Sequence, residues 1–248
     1  MKFQAVIPAR YASTRFPGKP LAVLGGKTMI QRVWERVSDV IADAVVATDD
    51  LRIADAVKSF GGRAVMTSEN HRSGTDRCAE VASGSDADVI INIQGDEPFI
   101  DLEQIKAVMD CFSDPHTQIA TLVRQFDPAA GFEALFDPNL VKVVIDDNGF
   151  AMYFSRSIIP YVRGVEWQNW LDSATYYSHI GLYAYRRDVL LELARLPQSS
   201  LEKAESLEQL RWLQNGYRIK VAQSDSPTIG IDTPEDLEAA EKYLDTLK

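Results

Sequence analysis

The chain has 248 residues, of which 46% are hydrophobic and 25% are charged, and its formal net charge at pH 7 is −10. A chain of this length and composition can bury a sizeable core, so we expect one large globular domain or one domain with a sub-domain. The negative charge argues against general binding to nucleic acid or to anionic membranes, because both attract positively charged surfaces.

Cysteine usage and the apolar segments bear on where the protein works. Cys78 and Cys111 form neither a metal-binding pattern nor a disulfide framework, so we expect ordinary reduced thiols. The N-terminus has no charged-then-apolar signal segment, and no run approaches about 18 apolar residues. We therefore expect a soluble, cytoplasmic protein that does not bind membranes.

The first predicted strand is the apolar run 3–7, which Pro8 should end. The loop that follows contains cations and small polar residues: Arg10, Ser13, Thr14, Arg15, Gly18 and Lys19. Ligands of open α/β sheets bind beyond the carboxyl ends of the strands, and a polyphosphate needs loop N–H groups and long cationic side chains. The loop is therefore predicted to bind an anion; the alternative is a solvated basic loop.

Two common nucleotide-binding motifs do not fit this region. Gly26-Lys27-Thr28 resembles the end of a Walker motif, but Leu21 stands where its first glycine belongs. No Gly-x-Gly-x-x-Gly follows the strand, which disfavours a dinucleotide fold. Thr28 is instead predicted to cap the next helix, with Gln31 completing a capping box.

The first half of the chain alternates apolar strands with amphipathic helices. Strands are predicted at 43–48, 63–66 and 88–94, and helices are predicted around 29–37 and 53–60. This alternation predicts βαβ units and an α/β, Rossmann-like fold with a mostly parallel central sheet flanked by helices.

Asp96 follows strand 88–94 directly, in the segment Gly95-Asp96-Glu97-Pro98. A carboxylate at the C-terminal end of a parallel strand should face the same crevice as the basic loop. Mg²⁺ is commonly held by one or two carboxylates together with substrate phosphates. We therefore predict that Asp96 is a metal ligand; the alternative is a simple turn before the next helix.

The pattern changes after residue 118. Strands are predicted at 119–124 and 176–185, with a hairpin of 141–145 and 150–155 around Asn148-Gly149. We therefore expect a smaller, mixed or antiparallel lobe, rich in aromatic residues. Helices are predicted at 188–196 and, as one continuous helix, at 201–215, where a solvated surface is the plain explanation of Glu205.

The last helix begins with a clear capping signal. Thr233 as N-cap, Pro234 at the first helical position and Asp236 in the first turn explain the local sequence. They do not explain Asp232, which precedes the cap.

Five segments of this chain resemble the sugar nucleotidyltransferases: PARYASTRFPGKPL, SGTDR, NIQGDEP, YFSR and GIDTPEDL. They occur in the order found in that family, and the likeness runs from Lys2 to the final helix. It is strongest to the CMP-Kdo synthetases, or 3-deoxy-manno-octulosonate cytidylyltransferases. The resemblance implies that the chain activates 3-deoxy-D-manno-octulosonate (Kdo) with CTP, giving CMP-Kdo and pyrophosphate for lipopolysaccharide biosynthesis.

The resemblance also implies roles for individual residues. Together with the basic loop it implies nucleotide contacts at Ala9, Arg10, Ser13, Thr14, Arg15, Lys19, Ser73, Gly74, Arg77, Gln94 and Asp96. It implies sugar contacts at Arg156, Arg163, His179, Tyr183, Glu208 and Gln209. Asp232 would join Asp96 in holding Mg²⁺, the expected cofactor. Arg10, Arg15 and Lys19 would neutralise the departing pyrophosphate, which makes these five the expected catalytic residues.

We accordingly expect a single nucleotidyltransferase domain over 1–248. Residues 1–118 and 217–248 would form a nucleotide-binding lobe, and residues from about 119 to 216 a sugar-binding and dimerisation lobe whose aromatic residues favour a homodimer. The resemblance leads us to expect a basic residue where Ser178 stands, so 8-amino-Kdo remains an alternative substrate. A cytidylyltransferase that acts on a sialic acid or a polyol phosphate is a further alternative. The sequence also leaves open two competing functions, those of a metal-dependent glycosyltransferase and of a non-catalytic nucleotide-binding regulator.

Overall fold

The computed structural model describes residues 1–13, 15–226 and 229–246. The strands in these ranges are β1 (Phe3–Ala9), β2 (Val23–Leu24), β3 (Lys27–Thr28), β4 (Ala44–Thr48), β5 (Arg63–Met66), β6 (Val89–Asn92), β7 (Ile119–Gln125), β8 (Lys142–Ile145), β9 (Ala151–Ser155), β10 (Tyr177–Arg186) and β11 (Ile219–Gln223). The helices are α1 (Met29–Ser38), α2 (Leu51–Ser59), α3 (Gly74–Ser83), α4 (Leu102–Asp110), α5 (Trp170–Ser173), α6 (Arg187–Leu193), α7 (Ser200–Glu205), α8 (Gln209–Gln214) and α9 (Pro234–Thr246). Within the described ranges, every helix is too short or too polar to cross a lipid bilayer.

The chain forms two compact units. The first contains Met1–Lys106, Ala184–Ala194 and the segment after Ser226, and the second contains Ala107–Tyr183 and Arg195–Ser226. The lobes expected from the sequence differ from these units in three segments, since 107–118 and 217–226 were assigned to the nucleotide-binding lobe and 184–194 to the other. The functions assigned to the two lobes stay predictions.

The first unit contains parallel strands in the order β6-β1-β4-β5, with α1 and α2 between successive strands of the chain. Every residue of β4 and β6 is buried, which explains why both segments are continuous apolar runs. Helix α1 buries Met29, Ile30, Val33 and Val37 along one side. These elements confirm the predicted alternation of strands and helices.

Strand β1 continues through Pro8 to Ala9, so the prediction that Pro8 ends the strand is wrong. Its pairing with β4 extends to Ala9 opposite Thr48, whereas its register with β6 ends at Val6 opposite Asn92. A proline lacks the N–H that a strand ladder needs. Pro8 is tolerated because it lies where one of the two ladders has already ended.

The N-terminus of α1 confirms one half of the predicted capping box. Thr28 is the N-cap, and its hydroxyl accepts a hydrogen bond from the Gln31 backbone N–H at 3.3 Å. The Gln31 side chain donates instead to Glu35 at 2.9 Å. The cap therefore rests on Thr28, while Gln31 stabilises the next turn of the helix.

The second unit combines parallel and antiparallel pairings. Strands β7 and β11 are parallel, whereas β8 is antiparallel to both β9 and β10. The predicted hairpin is confirmed, and Gly149 in its turn has a φ of +74°, which a side chain would disfavour. The fold is thus the expected α/β class, with a mostly parallel sheet and a smaller antiparallel part.

The prediction of one helix over 201–215 is wrong. Helix α7 ends at Glu205, Ser206 adopts a left-handed conformation with φ of 52°, and α8 begins at Gln209. The break turns the Glu205 and Ser206 carbonyl oxygens toward Arg156, whose guanidinium donates to both. Glu205 is likewise not merely solvated, because its carboxylate accepts hydrogen bonds from Ser155 and Arg156.

Candidate active site

A pocket of about 290 Å³ lies in the first unit, where segments following β1 and β6 meet the residues before α3 and α9. It is lined by ten of the predicted nucleotide contacts: Ala9, Arg10, Ser13, Arg15, Lys19, Ser73, Gly74, Arg77, Gln94 and Asp96. The remaining one, Thr14, lies outside the described residues. Asp232 also lines this pocket, so the predicted metal ligands and the basic loop share one concave site. The side chains' roles toward a nucleotide stay predictions.

The Lys19 ammonium lies between two acidic side chains in this pocket. Its Nζ is 2.6 Å from Asp96 Oδ2 and 3.0 Å from Asp232 Oδ1. The two carboxylate oxygens are therefore within about 5.6 Å of each other, the sum of these distances. Arg15 approaches the other oxygen of Asp232, at 3.1 Å. Residues far apart in sequence thus form one compact cluster of two anions and two cations.

Asp232 is held by the start of α9. The Asp236 carboxylate accepts hydrogen bonds from the backbone N–H groups of Asp232 and Thr233, each at 2.9 Å, and these bonds lower the pKa of Asp236. The Ile231 N–H donates to the Asp96 carbonyl oxygen at 3.0 Å, which joins the two acidic segments directly. The capping residues predicted from the sequence therefore also orient the metal-ligand candidate beside them.

Lys19 follows a sharp turn that requires glycine. Gly18 has a φ of +73°, and its N–H donates to the Tyr11 carbonyl oxygen at 2.9 Å. A Cβ on Gly18 would lie 3.1 Å from the Tyr11 ring, and the positive φ would strain any other residue. The turn returns the loop toward the strand ends and leaves Arg10 and Arg15 exposed at the pocket.

The start of α3 forms another wall of the pocket. Ser73 is its N-cap, and Ser73 and Asp76 make the reciprocal bonds of a capping box. A Cβ on Gly74 would be 3.2 Å from Pro8 Cγ, so glycine allows α3 to pack closely on β1. Arg77 is buried at 4% exposure.

Arg77 has partners that the sequence did not indicate. Its Nη2 is 2.8 Å from the Asp49 carboxylate, and its Nη1 donates to the Thr67 hydroxyl. Asp49 follows the buried strand β4, and Thr67 follows the partly exposed strand β5. Position after a strand is the only sequence signal that could have identified Asp49. The ion pair holds Arg77 at the pocket wall.

Glu97 is a further acidic residue at the cluster that sequence reasoning missed. Burial raises the pKa of Glu97 to about 7, and the charge of neighbouring Asp96 adds to the shift. Its carboxyl group consequently retains a proton into the neutral range, which limits the negative charge accumulated beside Asp96.

The donor set of the pocket fits Mg²⁺. Carboxylate oxygens are the ligands that this ion prefers, and it commonly takes one or two of them while phosphates and water complete its shell. Asp96 and Asp232 already surround a cationic group. In the described part of the chain no three acidic, histidine or cysteine side chains cluster as a metal site. The two carboxylates of Asp96 and Asp232 are the residues that would hold the ion.

The predicted sugar contacts all lie in the second unit. His179 and Tyr183 are neighbours, with ring centroids 5.2 Å apart, and His179 Nε2 is 3.0 Å from the Thr121 hydroxyl. Burial lowers the pKa of His179 to about 4, so the imidazole is neutral at neutral pH. Burial also raises the pKa of Tyr183, and the charge of Glu208 contributes to this shift.

The remaining predicted sugar contacts differ in how firmly they are held. Glu208 lies 3.1 Å from Arg211, and Gln209 is buried at the start of α8. Arg156 is anchored to carbonyl oxygens and lines a separate aromatic cavity of about 910 Å³ within the second unit. Arg163 is exposed and makes no hydrogen bond or ion pair with another described residue, and its role toward the sugar stays a prediction.

Comparisons with known proteins identify the family of this chain. Residues 4–219 match the family model described as Cytidylyltransferase. A protein from Parabacteroides distasonis named 3-deoxy-manno-octulosonate cytidylyltransferase is 63% identical over 247 residues, covering 98% of each chain, and one of the same name from Porphyromonas gingivalis is 56% identical, covering 97% of this chain and 95% of the relative. The solved structure of a CMP:2-keto-3-deoxy-manno-octonic acid synthetase complexed with CTP has a TM-score of 0.92 and 43% identity over the whole of both chains. The chain belongs to the cytidylyltransferase family.

Proposed function

We propose that the chain transfers the cytidylyl group of CTP to Kdo, giving CMP-Kdo and pyrophosphate. The observation that carries this proposal is the cluster of Lys19, Asp96, Asp232 and Arg15 in one pocket beyond the strand ends. Cationic and acidic side chains in one pocket suit the transfer of a phosphoryl group from one anionic molecule to another. The close relatives that carry the name 3-deoxy-manno-octulosonate cytidylyltransferase support the choice of substrates.

In this reaction the anomeric oxygen of the sugar attacks the α-phosphorus of CTP in line. A new P–O bond forms as the bond to the bridging oxygen breaks, the electron pair leaves with pyrophosphate, and the hydroxyl proton passes to solvent. Asp96 and Asp232 would hold Mg²⁺, which supplies charge screening and Lewis acidity at the triphosphate.

The cations of the loop supply the remaining electrostatic stabilisation. Arg10 and Arg15 are exposed at the pocket and able to reach phosphate oxygens, while Lys19 is half-buried beside the carboxylates. Fixed positive groups at a site of developing negative charge are worth more than the same groups in water. Their role is to bind the β- and γ-phosphates and to stabilise the leaving pyrophosphate.

The proposal also includes the oligomeric state and the cellular location of the protein. Phe136, Tyr161 and Trp167 are large aromatic side chains with 58%, 73% and 39% exposure around one cavity of the second unit. Exposed aromatic clusters are typical of subunit interfaces. We therefore propose a homodimer, working in the cytoplasm where CTP is available.

The test is a substrate panel in which pyrophosphate release from CTP and Mg²⁺ is measured. Kdo should support turnover, and 8-amino-Kdo and N-acetylneuraminate should be poorer acceptors. Preference for either of those sugars would move the chain to a related cytidylyltransferase activity. Release of CDP in place of pyrophosphate would contradict the proposed reaction and indicate glycosyl transfer.

A further inference from the structure

Glu205 and Arg156 make a reciprocal pair of contacts in the second unit. The Arg156 backbone N–H donates to Glu205 Oε2 at 2.9 Å, while Arg156 Nε donates to the Glu205 carbonyl oxygen at 2.6 Å. The other carboxylate oxygen of Glu205 accepts from the Ser155 hydroxyl at 2.7 Å. Side chain and main chain of each residue are thus joined to the other, which fixes the end of β9 against the end of α7.

The terminal nitrogens of the Arg156 guanidinium also donate hydrogen bonds to the main chain. Nη1 donates to the Pro138 carbonyl oxygen at 2.8 Å, and Nη2 to that of Ser206 at 3.4 Å. Arginine has five N–H groups, so one remains on each terminal nitrogen after the bonds within the described chain are counted. A carboxylate can accept hydrogen bonds from both terminal nitrogens of one arginine. Arg156 is therefore oriented before any ligand arrives.

The helix break lies at the same contacts. Ser206 has a φ of 52°, a left-handed conformation that residues with a Cβ adopt rarely. This conformation presents the carbonyl oxygens of Glu205 and Ser206 to Arg156. The predicted sugar contacts Glu208 and Gln209 follow within three residues of the break, so the position of Glu205 also sets where α8 begins.

The residues next to these contacts are buried. Ser155 is 3% exposed and is paired across the hairpin with Lys142, which is fully buried. The Lys142 ammonium donates to the Asp137 carbonyl oxygen at 3.0 Å. Burial lowers the pKa of Lys142, while the charges of Asp137 and Glu205 act in the opposite direction. Glu205 is consequently one of the counter-charges of a buried ammonium group.

We propose that Glu205 is a positioning residue for recognition of the sugar carboxylate. It acts through Arg156 by holding the guanidinium so that its two remaining N–H groups face an incoming carboxylate. The inference rests on the proposed function, in which the acceptor is an acid sugar. It assigns to Glu205 the selection of an acid sugar over the same sugar without a charged carboxylate.

The test compares two conservative variants. Glu205→Gln keeps the length of the side chain, since its amide can still accept from the Arg156 N–H and donate to the Ser155 hydroxyl, but removes the charge. Glu205→Asp keeps the charge but is too short to reach both partners. Glu166→Asp is the matched control, because Glu166 is exposed and lines the aromatic cavity without a side-chain contact to Arg156.

The readout is the ratio of kcat/KM for Kdo to kcat/KM for its carboxamide, with KM for CTP and Tm measured alongside. In Glu205→Asp this ratio should fall about ten- to hundredfold, as expected when a binding group is misplaced by about 1 Å, while KM for CTP is unchanged. Glu205→Gln and Glu166→Asp should keep most of the selectivity.

Several results would overturn the inference. These are retained selectivity in Glu205→Asp, equal loss in both Glu205 variants, or an equal fall in activity toward Kdo and its carboxamide. If Glu205→Asp does not fold, loss of selectivity in Glu205→Gln overturns it and retained selectivity supports it. Failure of the wild-type protein to release pyrophosphate with Kdo would instead defeat the proposed function.

Discussion

Replacement of Lys19 by methionine should have opposite effects on metal binding and on turnover. Methionine is similar in size to the apolar part of lysine but lacks the ammonium group. In the structure that group contacts Asp96 at 2.6 Å and Asp232 at 3.0 Å. A divalent cation that enters between these carboxylates must therefore displace Lys19, and the variant removes this competition.

The size of the effect follows from the charges and their exposure. Two unit charges about 4 Å apart interact by about 4 kcal/mol at an effective dielectric constant near 20. The Lys19 side chain is 14% exposed, but those of Asp96 and Asp232 are 30% and 46% exposed, so solvent screens much of this interaction. We therefore take the interaction of Lys19 with the two carboxylates, which opposes binding of a divalent cation, as about 1–2 kcal/mol. Since 1.4 kcal/mol corresponds to tenfold in affinity, Lys19→Met should bind a divalent cation about tenfold more tightly without nucleotide.

The assay is titration of nucleotide-free protein with Mn²⁺, followed by the electron paramagnetic resonance signal of the free ion. Turnover with CTP and Kdo is measured on the same preparations and should fall about 10²–10³-fold, because a preorganised charge is lost. Lys27→Met is the control, since Lys27 makes a 2.6 Å ion pair with Glu35 and does not line the pocket. Unchanged or weaker Mn²⁺ binding in Lys19→Met, or near-normal turnover, would refute the reasoning.

Three further predictions concern catalysis, pH and stability. Asp96→Asn and Asp232→Asn should each lower the rate of pyrophosphate release about 10²–10³-fold with little change in Tm, and a near-normal rate would remove that residue from the assignment. Burial lowers the pKa of His179 from 6.5 to about 4 in the folded protein, so between these values only the unfolded chain binds the proton and stability is lost as the pH falls from 6.5 to 4. His179→Gln should reduce this pH dependence in thermal unfolding curves, and an unchanged slope would argue against a buried neutral imidazole. Arg211→Met should cost about 3–5 kcal/mol in the free energy of unfolding, because it leaves buried Glu202 without its 2.6 Å partner. Lys106→Met, which breaks the exposed Lys106–Glu103 pair, should cost far less, and equal costs in denaturant titrations would contradict this.

Features set by neighbouring residues could be predicted from the sequence. The N-cap at Thr28 depends on a group within three positions, and the buried strands were visible as apolar runs. The meeting of Lys19 with Asp96 was also predictable, because parallel strands bring their carboxyl ends to one edge of a sheet. Asp232 was identified only through family resemblance, since its local sequence explains a helix cap and nothing more.

Features that depend on distant packing could not be predicted. The apolar spacing of Leu207 and Leu210 continues through the break at Ser206, so periodicity indicated one helix where the structure has two. The carbonyl oxygens at the break accept hydrogen bonds from Arg156, about 50 residues away in the chain, and a local sequence pattern does not show such a partner. The same limitation hid the partnership of Arg77 with Asp49, because no sequence pattern specifies which carboxylate a buried guanidinium will contact.

The central claim is that an acid sugar displaces pyrophosphate at the α-phosphorus of CTP. Phosphorus-31 nuclear magnetic resonance of the protein with CTP, Kdo and Mg²⁺ observes each phosphorus of substrate and product directly. The account predicts that the three CTP signals are replaced by one CMP phosphodiester signal and by pyrophosphate, in equal molar amounts. Formation of CDP, or of pyrophosphate without a CMP–sugar ester, would contradict it.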